Sequence, residues 1–166
     1  MPTPLMNTQE SKMKINEVAV KQKAGIIPYY IDKDGLPRMM FMIPSDPAYG
    51  GSSFQIAKGF IDAGEDDRTA ETREGAEELG LVESNIKHIE RIASKVLTGT
   101  VDTYQMTVFA AEIIDPTNFV ETDYETEERG WLTMEEYFSK GKPSHLSFVQ
   151  QTHDYILRAD GRDQVS

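Results

Sequence analysis

Two apolar runs early in the chain predict a pair of β-strands. The runs AVKQKAGIIPYYI (residues 19–31) and LPRMMFMI (residues 36–43) flank Asp32, Lys33, Asp34 and Gly35. A short Asp- and Gly-containing segment between apolar runs is typical of a hairpin turn. The next ten residues, PSDPAYGGSS, are rich in Pro, Gly and Ser and predict a loop, and FQIAKGFI (54–61) then predicts a short strand.

A helix is predicted between Gly64 and Gly80, with an aspartate cap near Asp66. HIERIASKVL and TYQMTVFAAEII, joined by TGTVD, predict a second strand pair. The acidic stretch ETDYETEERG (121–130) is predicted to be a loop before a short WLT strand, and MEEYFSKG and SHLSFVQQTHDYILRA predict two helices. These elements indicate an α/β fold. The polar residues 1–14 are predicted to be a disordered leader, and residues 15–166 a single domain without repeats.

Composition excludes several functional classes. The 28 acidic and 17 basic residues give a formal charge of −11, which argues against broad contact with nucleic acid. No stretch approaches the roughly 18 apolar residues of a membrane span, and the first residues lack the apolar region of a signal peptide, so we expect no membrane association and a cytoplasmic location. The absence of cysteine excludes disulfides and thiolate catalysis, and any metal must be bound through oxygen or imidazole.

Three glutamates crowd one face of the predicted helix. Glu74, Glu77 and Glu78 stand at i, i+3 and i+4, where like charges repel. The opposite side carries small or apolar residues, including Gly75 and Ala76, and we expect it to lie against a sheet with the acids pointing outward. A solvated helix face is one interpretation of this pattern. A site for a hard divalent cation such as Mg²⁺ is the other.

The surrounding residues favour the second interpretation. From Gly59 to Leu81 the sequence resembles the signature of the Nudix hydrolases, G-x5-E-x7-R-E-U-x-E-E-x-G-U, in which U is apolar. One U position departs from the signature, because it holds Gly75. All seven fixed positions match: Gly59, Glu65, Arg73, Glu74, Glu77, Glu78 and Gly80. The resemblance implies an α/β/α sandwich with a mixed central sheet.

The resemblance also implies roles for the motif residues. Glu74, Glu77, Glu78 and the backbone carbonyl of Lys58 would bind Mg²⁺ or Mn²⁺, and Arg73 would hold a motif glutamate, with Glu65 as its expected partner. Gly59, Glu65 and Gly80 would support the motif, and Glu74 and Arg73 would take part in catalysis.

Relatives also use a glutamate before a late strand as a base or additional ligand. We expect this residue to be Glu127 or Glu125, with a solvated acidic loop as the alternative. His88, His145 and His153 show no ligand spacing and receive no role.

The implied function is metal-dependent hydrolysis of the pyrophosphate linkage in nucleoside diphosphate derivatives. Adenine-containing substrates such as ADP-ribose, FAD and diadenosine polyphosphates are expected, because IPSDPAYGG, AKG and REGAEELGL are similar to the Nudix hydrolases of T-even-type bacteriophages. A phage origin would place the protein in the host cytoplasm. Alternatives are a nucleoside triphosphate-sanitising enzyme, an enzyme that removes RNA caps, and a module that binds nucleotides without cleaving them.

Two further questions stay open at the level of sequence. The substrate-binding residues are unknown, although Tyr29, Tyr49, Phe54 and Tyr104 are candidates to stack an adenine. The oligomeric state is also open, with a homodimer as one option.

Overall fold

The computed structural model describes residues 21–98, 103–122 and 125–161, which form a mixed six-stranded sheet with helices on both faces. The predicted leader, residues 1–14, and the centre of the TGTVD connection lie outside the described residues. The strands are β1 (Lys21–Ile31), β2 (Pro37–Pro44), β3 (Ala57–Phe60), β4 (Ile86–Thr98), β5 (Thr103–Ile113) and β6 (Thr126–Leu132). The helices are α1 (Asp67–Leu79), α2 (Met134–Lys140) and α3 (Leu146–Ala159).

Strand β1 is the centre of the sheet. The order is β4-β5-β1-β2-β6, with β1 and β5 parallel and the other pairs antiparallel. Both β2 and β3 pair with β1, β2 at Tyr29–Ile31 and β3 at Lys23–Ile26. The predicted hairpin of β1 and β2 and the predicted pairing of β4 with β5 are confirmed.

Alternating side chains of the strands feed two separate apolar cores, as expected for a sheet covered on both faces. Ile26 and Met40 lie in the core under α1, together with Leu79 of that helix. Ile27 and Phe41 point to the other face, where Phe148 of α3 joins them. The α/β/α sandwich with a mixed sheet is therefore confirmed. In the part of the chain that the structure describes, no helix is long and apolar enough to cross a membrane.

Two expectations from the sequence are wrong. The acidic stretch 121–130 is not a loop throughout, because β6 begins at Thr126 and pairs with β2 along the edge of the sheet. The acids of α1 do not all point outward. Glu74 is only 7% exposed and Glu71 is fully buried, whereas Ala76, predicted to face the sheet, is exposed.

Candidate active site

The ends of α1 are set by local signals. The Asp66 side chain accepts a hydrogen bond from the Thr69 N–H at 2.7 Å, which satisfies an unpaired donor of the first turn. Gly80 ends the helix in the left-handed conformation, with a φ of 72°. A Cβ at Gly80 would lie 2.0 Å from the Val120 carbonyl oxygen, so both the conformation and the space require glycine. The predicted bounds of the helix are thus correct to within a residue or two.

Two glycines bring α1 close to the sheet. A Cβ on Gly59 of β3 would lie 2.0 Å from Glu74 Oε1, so only glycine leaves room for this carboxylate against the strand. Gly75 faces Ile26 of β1, and its Cβ would lie 3.1 Å from the Ile26 Cγ2 atom. The departure from the motif at position 75 therefore accompanies tight packing between helix and strand.

Arg73 connects α1 to the loop before it. Its Nε and Nη2 atoms donate to both oxygens of Glu65, at 3.0 and 3.1 Å, so that Glu65 is a bidentate partner of Arg73. Nη1 donates to Glu74 Oε1 at 2.7 Å, and Nη2 also donates to the Phe60 carbonyl at 3.0 Å. The guanidinium lowers the pKa of Glu65 through its hydrogen bonds. Arg73 thus positions Glu74 relative to β3.

Glu74 and Glu78 form a carboxylate pair one turn apart on α1, and the charge of Glu74 acts on Glu78. Burial raises the pKa of both groups, and the neighbouring charges of Glu77 at Glu74 and of Glu74 at Glu78 act in the same direction. The Lys58 N–H donates to Glu78 Oε1 at 3.1 Å, which places the backbone of Lys58 beside the pair. Glu77 is exposed, one turn from Arg73, with its Oε2 atom 3.6 Å from Nη1.

These residues fit a hard divalent cation. Within residues 21–98, 103–122 and 125–161, no three acidic or imidazole groups converge into a formed metal cluster. The ligand chemistry is nevertheless suitable, because carboxylate oxygens are preferred by Mg²⁺ and Mn²⁺. A cation would also favour the ionised forms that burial disfavours at Glu74 and Glu78. Lys58, Glu74 and Glu78 lie together, and Glu77 is one turn away on the solvent side.

The late glutamates occupy different environments. Glu125 is in the turn before β6, and its charge contributes to the raised pKa of Glu78. Glu127 is exposed and is the unpaired residue of a bulge, because Thr126 pairs with Pro44 and Glu128 with Ile43. The Thr126 hydroxyl donates to the Glu78 carbonyl oxygen at 2.8 Å, which anchors this segment to the end of α1. Of the two candidate bases, Glu125 is electrostatically linked to the carboxylate pair.

Sequence reasoning missed a buried polar group beside the start of β3. Gln55 and His145 are buried, and the Lys58 ammonium donates to Gln55 Oε1 at 2.7 Å. A buried glutamine within the apolar run FQIAKGFI was the available signal for Gln55. His145 had no such signal, because its hydrogen bond with the Ile56 N–H joins positions 89 residues apart.

The fold and the motif together define a class of proteins, that of α/β/α sandwiches with a carboxylate-bearing helix beside the central sheet. The family model for the NUDIX domain matches residues 37–152, more than half of the chain. The chain therefore belongs to the Nudix hydrolase family, and the expected enzyme class, a hydrolase of phosphorus-containing anhydrides, is confirmed. No curated protein sequence matches it significantly.

Solved structures with this fold share little sequence with the chain. A C. elegans Ap4A hydrolase in a binary complex superposes with a TM-score of 0.70 at 18% identity, covering 82% of this chain and 98% of its own. The NUDIX domain of Shewanella oneidensis NrtR, complexed with ADP ribose, gives 0.70 at 12% identity, with coverage of 83% and 89%. RenU, a Nudix hydrolase from M. smegmatis, gives 0.65 at 15%, with coverage of 82% and 87%. These likenesses show the fold.

Proposed function

We propose that the chain is a divalent-metal-dependent pyrophosphohydrolase that acts on adenine-containing nucleoside diphosphate derivatives, with ADP-ribose, FAD and diadenosine polyphosphates as candidates. The observation that carries this proposal is the Glu74–Glu78 carboxylate pair, held against β3 by Gly59 and by the Arg73–Glu65 ion pair. An acidic helix face that is only solvated does not require its carboxylates to be held in fixed positions. A small-molecule nucleotide is the expected partner, and the acidic chain makes a long RNA less suitable, apart from a capped end.

The residues have distinct roles in this proposal. Glu74, Glu77, Glu78 and the carbonyl of Lys58 would hold Mg²⁺ or Mn²⁺, which would neutralise the pyrophosphate charge and make water more acidic. Arg73 and Glu65 keep the carboxylate of Glu74 in place. Glu125, with Glu127 as the alternative, would accept a proton from the attacking water. Water adds to one phosphorus, the P–O bond of the anhydride breaks, and two phosphorylated products leave.

The substrate class is supported by two independent likenesses. The stretches IPSDPAYGG and REGAEELGL are similar to the T-even-type phage enzymes, which are associated with these adenine compounds. Two of the superposed structures are named for an Ap4A hydrolase and for a complex with ADP ribose. Among the four aromatic candidates for adenine stacking, only Tyr49 is open to solvent, at 76% exposure, whereas Tyr29, Phe54 and Tyr104 are buried.

The test is a substrate panel with paired variants. Phosphatase-coupled phosphate release would be measured with ADP-ribose, FAD, diadenosine polyphosphates, nucleoside triphosphates and capped RNA, each with Mg²⁺, Mn²⁺ or chelator. Glu78→Gln is expected to lower turnover by about 100-fold or more, as for loss of a catalytic metal ligand. Glu83→Gln, at an exposed position just after α1, is the matched control and should retain the wild-type rate.

The outcomes separate the alternatives. Equal rates for Glu78→Gln and wild type would contradict the metal role of Glu78. Cleavage of triphosphates with pyrophosphate release, or of capped RNA alone, would replace the proposed substrate class. Binding of these nucleotides without turnover under any metal condition would identify a non-catalytic module.

A further inference from the structure

Thr126, the first residue of β6, is buried between two exposed glutamates. It is 9% exposed, whereas its neighbours Glu125 and Glu127 are open to solvent. Its hydroxyl group donates to the backbone carbonyl oxygen of Glu78 at 2.8 Å, a contact that joins positions 48 residues apart. This one hydrogen bond therefore connects the start of β6 to the main chain of a proposed metal ligand.

The backbone of Glu125 is held on both sides. Its carbonyl oxygen accepts a hydrogen bond from the Ser45 N–H at 2.9 Å, at the start of the loop between β2 and β3. Thr126 is its neighbour in the chain, so the Cα atoms of the two residues are about 3.8 Å apart. The position of Glu125, the first candidate for the base, is consequently limited by one contact with the β2–β3 loop and one with α1.

The acceptor of the Thr126 hydroxyl belongs to a residue that is itself fixed. The Glu78 carboxylate accepts a hydrogen bond from the Lys58 N–H at 3.1 Å. The last carbonyl groups of a helix have no partner within the helix, and Thr126 supplies one for the carbonyl of Glu78. The start of β6 is thus placed relative to a carboxylate that the segment at Lys58 already holds.

Other contacts keep β6 beside α1 without this hydroxyl. Arg129 Nη1 donates to the Leu79 carbonyl oxygen at 2.5 Å. Strand β6 also pairs with β2 as far as Leu132. Removal of the Thr126 hydroxyl would therefore leave the strand in the sheet and release only its first residue and the turn before it. The effect of the hydroxyl is local to Glu125.

We propose that Thr126 is a positioning residue that holds the general base Glu125 beside the Glu78 carboxylate. The inference rests on the proposed function, in which Glu125 accepts a proton from the attacking water. The charge of Glu125 acts on Glu78, so the two carboxylates lie within electrostatic range of each other. A base must stay within hydrogen-bond reach of the water that it deprotonates, and Thr126 restricts its movement without touching substrate or metal.

The kinetic test compares Thr126→Val, which removes the hydroxyl and keeps a branched side chain, with Thr126→Ser, which keeps the hydroxyl. A displaced base slows proton transfer and leaves substrate binding unchanged. We expect Thr126→Val to lower kcat by about 10-fold, with KM and Mn²⁺ affinity within about twofold of wild type, and Thr126→Ser to retain the wild-type kcat. Equal kcat in Thr126→Val and wild type would overturn the proposal.

Thr152→Val is the matched control. Thr152 is also buried, and its hydroxyl also donates to a backbone carbonyl oxygen at 2.8 Å, that of Phe148 in α3. Its removal should lower the free energy of unfolding by an amount similar to that in Thr126→Val and leave kcat unchanged. An equal loss of kcat in the two variants would assign the effect to general destabilisation and overturn the proposal.

A double variant tests whether Thr126 acts through Glu125. The effects of two residues that act as one unit do not add. We expect kcat of Glu125→Gln/Thr126→Val to lie within about twofold of that of Glu125→Gln alone. A further loss of about 10-fold in the double variant would show that Thr126 acts independently of Glu125 and would overturn the proposal.

Hydrogen exchange provides a measurement without metal or substrate. In EDTA, exchange of the Ser45 amide reports on its hydrogen bond with Glu125. We expect this exchange to be about 10-fold faster in Thr126→Val than in wild type or Thr126→Ser. The Tyr49 amide, which donates to the Asp46 carbonyl oxygen at 3.0 Å in the same loop, should be unchanged.

Thr126→Ala covers the case in which valine at this position prevents folding, because alanine also lacks the hydroxyl and is smaller. The same increase in Ser45 exchange and the same loss of kcat are expected. An unchanged rate of Ser45 exchange in the variants without the hydroxyl would overturn the proposal.

The outcomes separate this proposal from the proposed function. Metal-dependent turnover that is equal in wild type and Thr126→Val would remove the role of Thr126 and keep the proposed function. Absence of turnover in wild type with every substrate and metal would remove the proposed function, and the role of Thr126 with it.

Discussion

Glu71 is a carboxylic acid in the interior of the protein, one turn before Glu74 on α1. It is 0% exposed, and its Oε1 atom accepts a hydrogen bond from the Thr72 hydroxyl at 3.0 Å. Its Oε2 atom has no partner in the described ranges, and Arg68 Nε lies 3.7 Å from Oε1. Burial raises the pKa of Glu71 to about 7, with smaller contributions of the same sign from Asp67 and Glu83.

Because the pKa of Glu71 is raised on folding, stability should fall as pH rises from about 4.5 to about 7. In this window the unfolded chain releases the proton and the folded chain retains it. We therefore expect the free energy of unfolding of Glu71→Gln, relative to that of wild type, to be higher at pH 8 than at pH 5 by about 1 kcal/mol or more, as measured by urea unfolding. The exposed control Glu135→Gln should show no such change, and a gain independent of pH would contradict the burial effect.

The two candidate bases can be ranked from their surroundings. Both side chains are exposed, but Glu125 acts electrostatically on Glu78, whereas Glu127 is the extra residue of a bulge. We expect Glu125→Gln to lower kcat by about 10²-fold or more, within the usual range for a general base, and Glu127→Gln to lower it less. Steady-state kinetics of both variants at saturating Mg²⁺ decides the ranking. A larger loss in Glu127→Gln would move the base to that residue.

At the scale of elements, the contact between β3 and α1 depends on the absence of a Cβ atom at Gly59. Gly59→Ala would place Cβ 2.0 Å from Glu74 Oε1 and must displace the carboxylate. A displacement of about 1 Å at such a site lowers turnover on the order of 100-fold, so we expect that loss together with weaker Mn²⁺ binding.

Gly130→Ala in β6 is the matched control for this substitution, because its Cβ would meet nothing closer than 3.6 Å. Stopped-assay rates and Mn²⁺ titration of both variants give the comparison. Similar values for the two alanine variants would show that Glu74 does not need its position against β3.

The elements also show why some predictions from the sequence were correct and others were wrong. The bounds of α1 are readable because Asp66 and Gly80 are local signals of a helix start and end. The first part of β6, residues 126–130, was missed because β6 lies at the edge of the sheet, so TEERGWL carries little apolar alternation. The inward direction of Glu74 was missed because it depends on the space at Gly59 in another element.

For the whole molecule, the repelling carboxylates should make stability depend on divalent metal. A cation that binds only the folded chain stabilises it by about 2.7 kcal/mol at 100 times its dissociation constant. For a chain of this size that is on the order of 5 °C in melting temperature. Calorimetry with Mg²⁺ or Mn²⁺ against EDTA should show this rise in wild type and in Glu83→Gln, and not in Glu78→Gln. An equal rise in all three proteins would place the cation elsewhere.

At this scale, local signals were sufficient to predict the family and insufficient to predict the buried polar contacts beside β3. The seven motif residues lie within residues 59–80 and could be read directly from their spacing. By contrast, the Ile56 N–H donates to His145 Nδ1, and the Lys58 ammonium donates to Gln55. Only the packing of the segment before α3 on β3 brings these residues together, and no spacing rule predicts such an approach.

The end of α1 also carries information about the order in which the protein folds. The carbonyl oxygens of Glu78, Leu79 and Gly80 accept hydrogen bonds from Thr126, Arg129 and Val120, respectively. The first two pairs are separated by 48 and 50 residues. During synthesis these carbonyl groups are therefore hydrogen-bonded to water until the segment around β6 has been made. A nascent chain that stops short of Val120 should form the carboxylate helix without its final anchorage, and metal competence should arise late in folding.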